Sequence, residues 1–224
     1  MYKNIVFDLG GVLVDFDPRR FLLDRFCNAD IERRVYNITF GSLEWQDLDA
    51  GKLTRRQGDA IMMKRARELH CAFEVQCVLD DWIASLNTRQ STAGILRRLK
   101  ELDFHVYYLS NIPEDALKFL RRKEFFSLFE GGVPSCEVHI NKPDPAIYQT
   151  FLERYGLDPA ETIFIDDRLE NAQAADALGI HGIHYQGAGQ LIEALNGCGI
   201  VLEKPAELEE PAERESTEEE DDED

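Results

Sequence analysis

Polar side chains follow three apolar segments of the chain, each at the point where a buried strand would end. The apolar segments are residues 5–7, 106–109 and 162–165, and the polar residues after them are Asp8, then Ser110 with Asn111, then Asp166 with Asp167. The carboxyl ends of parallel strands meet at one edge of an open α/β sheet, and ligands bind at that edge. We therefore expect these side chains to form one site.

The residue types at this edge suit the binding of magnesium and phosphate. Mg²⁺ favours hard oxygen ligands such as carboxylates. Phosphate oxygens are bound by hydroxyl groups, main-chain amides and lysine. Lys142 belongs to the segment NKPDP, residues 141–145, in a loop that can reach the same edge. Gly10 and Gly11 follow Asp8 and free the backbone to turn at this point.

Each of these residues also has a purely structural explanation. Ser110 and Asn111 could cap the helix that follows them. Lys142 could be a solvated surface charge, and the two aspartates after the last apolar segment could form another N-cap. For Ser110 or Asn111 alone we prefer the structural explanation. The occurrence of all these groups in order, each after a strand, favours a functional site.

The elements that would position the site alternate between strand and helix from residue 92 onwards. Strands are predicted over residues 5–7, 106–109, 132–135, 162–165 and 181–185, and helices over residues 92–102, 113–126, 146–155 and 169–178. This alternation is typical of a parallel sheet covered on both faces. The predicted fold class is therefore α/β.

Between the first strand and about residue 86 the pattern is helical. Asp17 and Pro18 are typical of an N-cap and a first helical residue, and Thr54 with Gln57 predicts a capping box for a helix over residues 54–69. Further helices are predicted over residues 31–40 and from about Glu74. The segment GSLEWQDLDAG, residues 41–51, is predicted to be a polar loop around one tryptophan. This insert of roughly 70 residues suits a small helical bundle.

Composition and charge exclude several classes of protein. With 224 residues, 44% of them hydrophobic, the chain can fill an ordinary core. Residues 203–224 contain 13 acidic and two basic residues, so they carry −11 of the formal net charge of −18. A tail of this composition is predicted to be disordered. The absence of a basic stripe predicts no nucleic-acid partner, and the absence of a long apolar run predicts no membrane association. Five scattered cysteines favour reduced thiols and a cytoplasmic location.

Four motifs in this order resemble those of the haloacid dehalogenase (HAD) superfamily. They are FDLGGVLVD, YYLSN, NKPDPAIY and IFIDDRLEN, and the resemblance covers residue 2 to about residue 199. It implies a Rossmann-like core at residues 1–15 and 88–202 and a small all-α cap at residues 16–87, followed by the acidic tail. The DLG opening and the GSLEW segment look most like the sugar phosphatases of the glucose-1-phosphate phosphatase type.

The resemblance implies a role for each carboxylate. Asp8 would be the nucleophile, forming an aspartyl-phosphate intermediate, and also a ligand of Mg²⁺. The main-chain carbonyl of Gly10 and the carboxylate of Asp166 would complete the protein ligands of the metal. Asp167 would lie close by or act through water, and Asn171 would support the ligands.

The resemblance also implies which residues bind substrate. Ser110, Asn111 and Lys142 would hold the oxygens of the transferring phosphoryl group, and Lys142 would take part in catalysis. Glu44 and Trp45 of the GSLEW segment are further candidates for substrate contact. Their structural alternatives are a solvated charge for Glu44 and a place in the core of the cap for Trp45.

The predicted function is a magnesium-dependent phosphatase that acts on a small phosphorylated metabolite, most simply a sugar phosphate such as an aldose 1-phosphate. Two alternatives remain: a 2-haloacid dehalogenase, in which a bulky aromatic residue would be expected at Gly10, and a non-catalytic binding protein that kept the fold. In most phosphatases of the superfamily a second aspartate stands at the position of Gly10. Asp15 and Asp17 are its nearest substitutes in sequence. A monomer is favoured as the oligomeric state.

Overall fold

The computed structural model of the protein describes residues 1–202, so the acidic tail predicted from Glu203 lies outside the described residues. Its strands are β1 (Asn4–Phe7), β2 (His105–Ser110), β3 (Gly131–Pro134), β4 (Thr162–Asp166) and β5 (His181–His184). They form one parallel sheet in the order β3-β2-β1-β4-β5. The predicted α/β fold with a Rossmann-like parallel sheet is confirmed.

The register of the sheet aligns the carboxyl ends of its central strands. Phe7 at the end of β1 pairs with Tyr108 in β2 and with Ile165 in β4. Asp8 therefore lies level with Asp166, and the main-chain N–H of Asp8 donates to the carbonyl of Ile165 at 2.8 Å. Backbone pairing between the strands thus brings the carboxylates of Asp8 and Asp166 to one edge of the sheet.

Helices outside the insert cover both faces of the sheet, and further helices form the insert itself. In chain order they are α1 (Pro18–Phe26), α2 (Ala29–Ile38), α3 (Leu43–Asp49), α4 (Arg55–Glu68), α5 (Ala72–Asp81), α6 (Gln90–Glu101), α7 (Glu114–Leu120), α8 (Ser135–Val138), α9 (Pro145–Tyr155), α10 (Leu169–Asp176) and α11 (Ala188–Gly197). Alternate strand residues face opposite layers, because successive side chains of a strand point to opposite sides. Val6 packs with α9 and α10, whereas Ile5 and Phe7 pack with α6 and α11.

The helices α1 to α5 form the insert between β1 and β2, and the predicted start signals act there as expected. Asp17 caps α1 by accepting from the main-chain N–H of Arg20 at 3.0 Å. Thr54 and Gln57 form the predicted capping box of α4. No helix within residues 1–202 combines the length and the apolarity that crossing a bilayer requires.

The segment at residues 41–51 is not the polar loop that the sequence predicted, because its middle forms α3. Ser42 caps this helix by accepting from the main-chain N–H of Trp45 at 3.1 Å. Trp45 and Leu48, three residues apart, share its buried face. The prediction was wrong because seven residues are too few to show a helical period among many polar side chains.

Two other helices depart from the prediction, one in its extent and one because it was not predicted at all. The helix predicted over residues 113–126 ends as α7 at Leu120, and a 3₁₀ turn, Glu124–Leu128, follows it. The helix α11 was not predicted. Its apolar residues, including Leu191 and Leu195, lie four residues apart and pack on the same layer as α6.

Candidate active site

Asp8 stands at the centre of the sheet edge, directly after β1. Its side chain is only 10% exposed, and its Oδ1 atom accepts from the main-chain N–H of Leu9 at 2.7 Å. The hydroxyl of Ser110, at the end of the neighbouring strand β2, lies close enough to this carboxylate to lower its pKa. Asp8 and Ser110, both predicted as site residues, therefore lie in contact.

Lys142 links the carboxylates of the two central strands. Its Nζ atom lies 3.1 Å from Oδ1 of Asp8 and donates to Oδ2 of Asp166 at 2.6 Å. The same ammonium group donates to the main-chain carbonyl of Leu109 at 2.8 Å. Its side chain is 1% exposed, so the alternative of a solvated surface charge does not describe Lys142.

Asn111 holds the main chain of Lys142 in place. Its amide donates to the carbonyl of Lys142 at 2.9 Å and accepts from the N–H of Lys142 at 2.8 Å. Neither Asn111 nor Ser110 caps α7, whose N-cap is Pro113 without a side-chain hydrogen bond. Ser110, the last residue of β2, and Asn111, which follows it, therefore belong to the site and do not cap the next helix.

Asp166 is completely buried and has a partner for each oxygen. Its Oδ1 atom accepts from the main-chain N–H of Arg168 at 2.9 Å and from the amide of Asn171 at 3.0 Å, and Oδ2 accepts from Lys142. Asn171, expected to support the metal ligands, contacts Asp166 directly. These bonds fix the orientation of the carboxylate.

Burial and charge act in opposite directions on the ionisation of this cluster. Burial raises the pKa of Asp8 to about 7, and the charges of Asp166 and Asp167 add to this effect, whereas Lys142 lowers the pKa. Burial lowers the pKa of Lys142, but its two carboxylate partners outweigh burial and raise it overall. Burial, followed by Asp166, raises the pKa of Asp167. The ammonium group of Lys142 therefore stays charged, whereas the pKa values of Asp8 and Asp167 are raised.

The donor set fits a divalent cation. Carboxylate oxygens of Asp8, Asp166 and Asp167 lie within 4.8 Å of one another, and one lysine cannot balance three negative charges. Mg²⁺ takes such oxygen ligands and relieves this repulsion. Gly11 leaves room for the cluster, because a Cβ atom there would overlap the Asp167 carboxylate. Its φ of +73° is a second reason why glycine suits this position.

A cavity of about 690 Å³ opens above these carboxylates. The sheet edge contributes Asp8, Gly10, Asn111, Lys142 and Asp167 to its wall, and the helical insert contributes Tyr36, Phe40, Trp45, Gln46 and Asp49. A smaller cavity of about 40 Å³ shares Gly10, Phe16, Trp45, Asp49 and Asn111 with it. The site therefore lies between the sheet and the insert.

The two residues predicted from the GSLEW segment differ in position. Trp45 lines both cavities. Glu44 lines neither, because its carboxylate pairs with Arg65 of α4 at 2.9 Å on another side of α3. The structure therefore does not bring Glu44 to the site.

Several residues of the cavity wall were not identified from the sequence, among them Gln46, Asp49, Asn141 and Arg168. Asp49 lies one helical turn after Trp45, so a helical interpretation of residues 41–51 would have placed both on one face. The sequence gives no such signal for Asn141 or Arg168, whose positions depend on how the loops fold over the sheet.

The parallel sheet with an acidic centre at its strand ends is the architecture of an α/β enzyme. The chain belongs to the haloacid dehalogenase-like hydrolases, whose family model matches residues 2–179. The family resemblance of the four sequence motifs is thus confirmed.

Similar proteins include named phosphatases. The chain is 28% identical over 185 residues to the sesquiterpene phosphatase astK of Aspergillus oryzae, covering 82% of this chain and 89% of that protein. It is 29% identical over 201 residues to the D-ribitol-5-phosphate phosphatase of Bacteroides thetaiotaomicron, covering 80% and 89%. A solved HAD family enzyme of B. thetaiotaomicron, in complex with magnesium and inorganic phosphate, has a TM-score of 0.62 and 25% identity, covering 80% of this chain and 92% of that chain.

Proposed function

We propose that the protein is a Mg²⁺-dependent phosphatase of a small sugar phosphate and that Asp8 is its nucleophile. The observation that carries the proposal is the position of Asp8, which lines the cavity between the sheet and the insert and is in contact with Lys142. A carboxylate held in this way can attack phosphorus along one direction while the ammonium group neutralises charge.

The reaction proceeds in two displacements. An oxygen of Asp8 attacks phosphorus, the bond between phosphorus and the ester oxygen breaks, and the alcohol leaves with a proton. Water then attacks the aspartyl phosphate, which releases inorganic phosphate and restores the carboxylate. Lys142 and the hydroxyl of Ser110 bind the phosphoryl oxygens. Asn111 acts by holding the main chain of Lys142.

Asp8, Asp166 and Asp167, together with the main-chain carbonyl of Gly10, would hold the metal ion. When bound, Mg²⁺ supplies positive charge that stabilises the phosphoryl oxygens during transfer. The support is the donor set, three carboxylates that face one ammonium group. The magnesium and phosphate complex of the similar B. thetaiotaomicron enzyme also supports this role.

A sugar suits the upper part of the cavity. Its wall combines aromatic rings, Phe40 and Trp45, with the amides of Gln46 and Asn141, and this mixture suits a ligand with both apolar faces and hydroxyl groups. An aldose 1-phosphate is the proposed example of such a sugar phosphate, because its anomeric alcohol leaves more readily than a primary alcohol.

We also propose that residues 16–87 act as a cap over the catalytic core. Three hydrogen bonds tie the carboxyl end of α3 to the core: Ser135 donates to the carbonyl of Asp49 at 2.5 Å, His139 to Ala50 at 2.9 Å and Asn141 to Gln46 at 2.9 Å. Two further hydrogen bonds join Arg55 of α4 to Asp115 of α7, the shorter at 2.7 Å. Because the bonds of α3 lie together at its carboxyl end, the insert can open there to admit substrate and close again to exclude water once Arg55 releases Asp115.

A substrate panel tests the function. Phosphate release is measured with and without Mg²⁺ from glucose 1-phosphate, glucose 6-phosphate, ribitol 5-phosphate and a sesquiterpenyl monophosphate, with Asp8→Asn as the inactive control. We expect Mg²⁺-dependent release that is fastest from a sugar phosphate and absent in the variant. Faster release from the terpenyl ester would contradict the sugar assignment. Chloride release from 2-haloacids without metal would contradict the phosphatase itself.

A further inference from the structure

The proposed reaction needs a proton donor that the sheet edge does not supply. An alkoxide is a poor leaving group unless it receives a proton as its bond to phosphorus breaks. Gly10 has no side chain. All three protons of the Lys142 ammonium group are directed to acceptors, namely Asp8, Asp166 and the carbonyl of Leu109.

The two acidic residues closest in sequence are committed elsewhere. Asp15 pairs with Arg89 at 2.8 Å, and the carboxylate of Asp17 caps α1 through the N–H of Arg20. Neither residue lines the cavity that contains Asp8. The donor must therefore come from another element.

Asp49 is the acidic side chain of the insert that lines the same cavities as Gly10. It is the last residue of α3. Within residues 1–202, its carboxyl group has no hydrogen-bond or ion-pair partner. Its main chain, in contrast, is fixed, because its carbonyl accepts from the hydroxyl of Ser135 at 2.5 Å. The other acidic residues of the larger cavity, Asp8 and Asp167, belong to the proposed metal centre.

We propose that Asp49 is the general acid and base of the reaction and fulfils, from the insert, the role that Gly10 cannot. In the first displacement its carboxyl proton passes to the ester oxygen as the bond between that oxygen and phosphorus breaks. In the second, the resulting carboxylate takes a proton from the water that attacks the aspartyl phosphate. Protons balance over one cycle. This role rests on the proposed phosphatase reaction.

The surroundings of Asp49 keep its carboxyl group protonated near neutral pH. Burial raises its pKa to about 8, and the negative charges of Asp115 and Asp8 act in the same direction. Arg55 and Arg168 lower the pKa but do not reverse the effect of burial. An acid must carry its proton when substrate binds, so this environment matches the role.

Two esters with different leaving groups test the role of Asp49. The nitrophenolate of p-nitrophenyl phosphate departs without a proton, whereas the alkoxide of glucose 6-phosphate needs one. We compare kcat/KM of the wild type, Asp49→Asn and the matched control Asp47→Asn, which makes the same change on α3 at a residue that lines neither cavity. For Asp49→Asn we expect a loss of about 10²- to 10⁴-fold on glucose 6-phosphate but only a few-fold on p-nitrophenyl phosphate. Asp47→Asn should match the wild type on both.

A second variant separates catalysis from folding. The nearest atom to a Cβ at Gly10 would be Cδ1 of Phe16 at 3.5 Å, an ordinary contact, so the backbone there accommodates the first atom of a side chain. Gly10→Asp combined with Asp49→Asn should recover activity on glucose 6-phosphate. Equal losses on both esters, or no recovery in the double variant, would overturn the role of Asp49. A wild type without phosphatase activity, or an active Asp8→Asn variant, would instead contradict the proposed function and the role with it.

Discussion

The buried side chains of the site are closely bonded to one another, but their negative charges outnumber the positive charge of Lys142. Lys142 bonds to Asp8 and Asp166, yet Asp167 brings a third carboxylate within 4.8 Å of both. In a buried cluster, like charges that are not compensated are costly. The same excess of negative charge that opposes folding would attract a divalent cation, so the proposed metal affinity and the local instability would have one origin.

Neutralising one of these carboxylates should weaken metal binding. In Asp166→Asn the shape of the side chain is kept but one negative charge is lost, and Lys142 retains only Asp8 as an ionic partner. We expect the affinity for Mg²⁺ to fall by at least ~10-fold and phosphatase activity to fall with it. Calorimetric titration with Mg²⁺ checks this, and an unchanged affinity would remove Asp166 from the metal site.

Asp49 offers a second residue-scale prediction, on stability. Its pKa is raised in the folded protein, so between about pH 4 and pH 8 the folded state holds a proton that the unfolded state has released. Stability therefore falls as pH rises through this window. Asp49→Asn removes that loss. At pH 8 the free energy of unfolding of the variant should therefore exceed that of the wild type by at least ~1 kcal/mol, which corresponds to an increase of about 2–4 °C in Tm.

Melting curves of both proteins at pH 5 and pH 8 measure this effect. The difference in Tm between Asp49→Asn and the wild type should be larger at pH 8. A variant that gains stability while losing activity is typical of a functional residue held in an unfavourable environment. A lower Tm for the variant at pH 8 would show that the carboxylate stabilises the fold instead.

The residues of the site differ in how far the sequence could predict them. Asp8, Ser110 and Asp166 follow strands, so the parallel topology alone placed them together. Glu44 was predicted from a local segment, and nothing in that segment indicates the direction of its side chain. In the structure Glu44 pairs with Arg65 on another side of α3. Asp49 was missed because its distinguishing properties exist only in the folded molecule, namely its place in the cavity wall and a carboxyl group without a partner among residues 1–202.

At the scale of elements, α3 is the least predictable part and the one that links insert and core. It contains only seven residues, so helix propensity cannot stabilise it alone. Its start depends on Ser42, whose hydroxyl accepts from Trp45 and donates to the carbonyl of Thr39 at 2.7 Å. Tertiary contacts therefore decide its structure, which explains the wrong prediction of a loop.

Removing this cap should affect binding as well as stability. We expect Ser42→Ala to cost about 1 kcal/mol of stability and to raise KM, because Trp45 and Asp49 on α3 line the cavity. Thr54→Ala is the matched control, since Thr54 caps α4 in the same way but lies outside the cavity wall. It should lose similar stability with KM unchanged. Equal KM values for the two variants would separate α3 from substrate binding.

At the scale of the whole molecule, the sheet was predictable and the closure of the insert was not. Five apolar segments alternating with helices suffice for a parallel sheet, because such strands need helical crossovers. The insert docks on the core partly through an ion pair between Arg55 and Asp115, and partly through main-chain carbonyls that pair with Ser135, His139 and Asn141. Any residue presents a carbonyl, so sequence patterns carry no trace of the contacts to carbonyls.

The docking bond of His139 allows the proposed opening of the insert to be tested without altering the cavity. Nδ1 of His139 donates to the carbonyl of Ala50, and His139 does not line the cavity above Asp8. The φ of His139 is +61°, a conformation that asparagine tolerates. His139→Asn shortens the side chain and should remove a bond worth about 1 kcal/mol, which shifts the balance between closed and open forms about fivefold. We expect faster hydrogen exchange at the amides of α3, unchanged exchange in β1, and a higher KM.

His105→Asn is the control, because His105 pairs with Glu130 at the amino-terminal edge of the sheet. If the amides of α3 exchange at the same rate in both variants, the contact between insert and core does not limit opening, and the cap must move about another point.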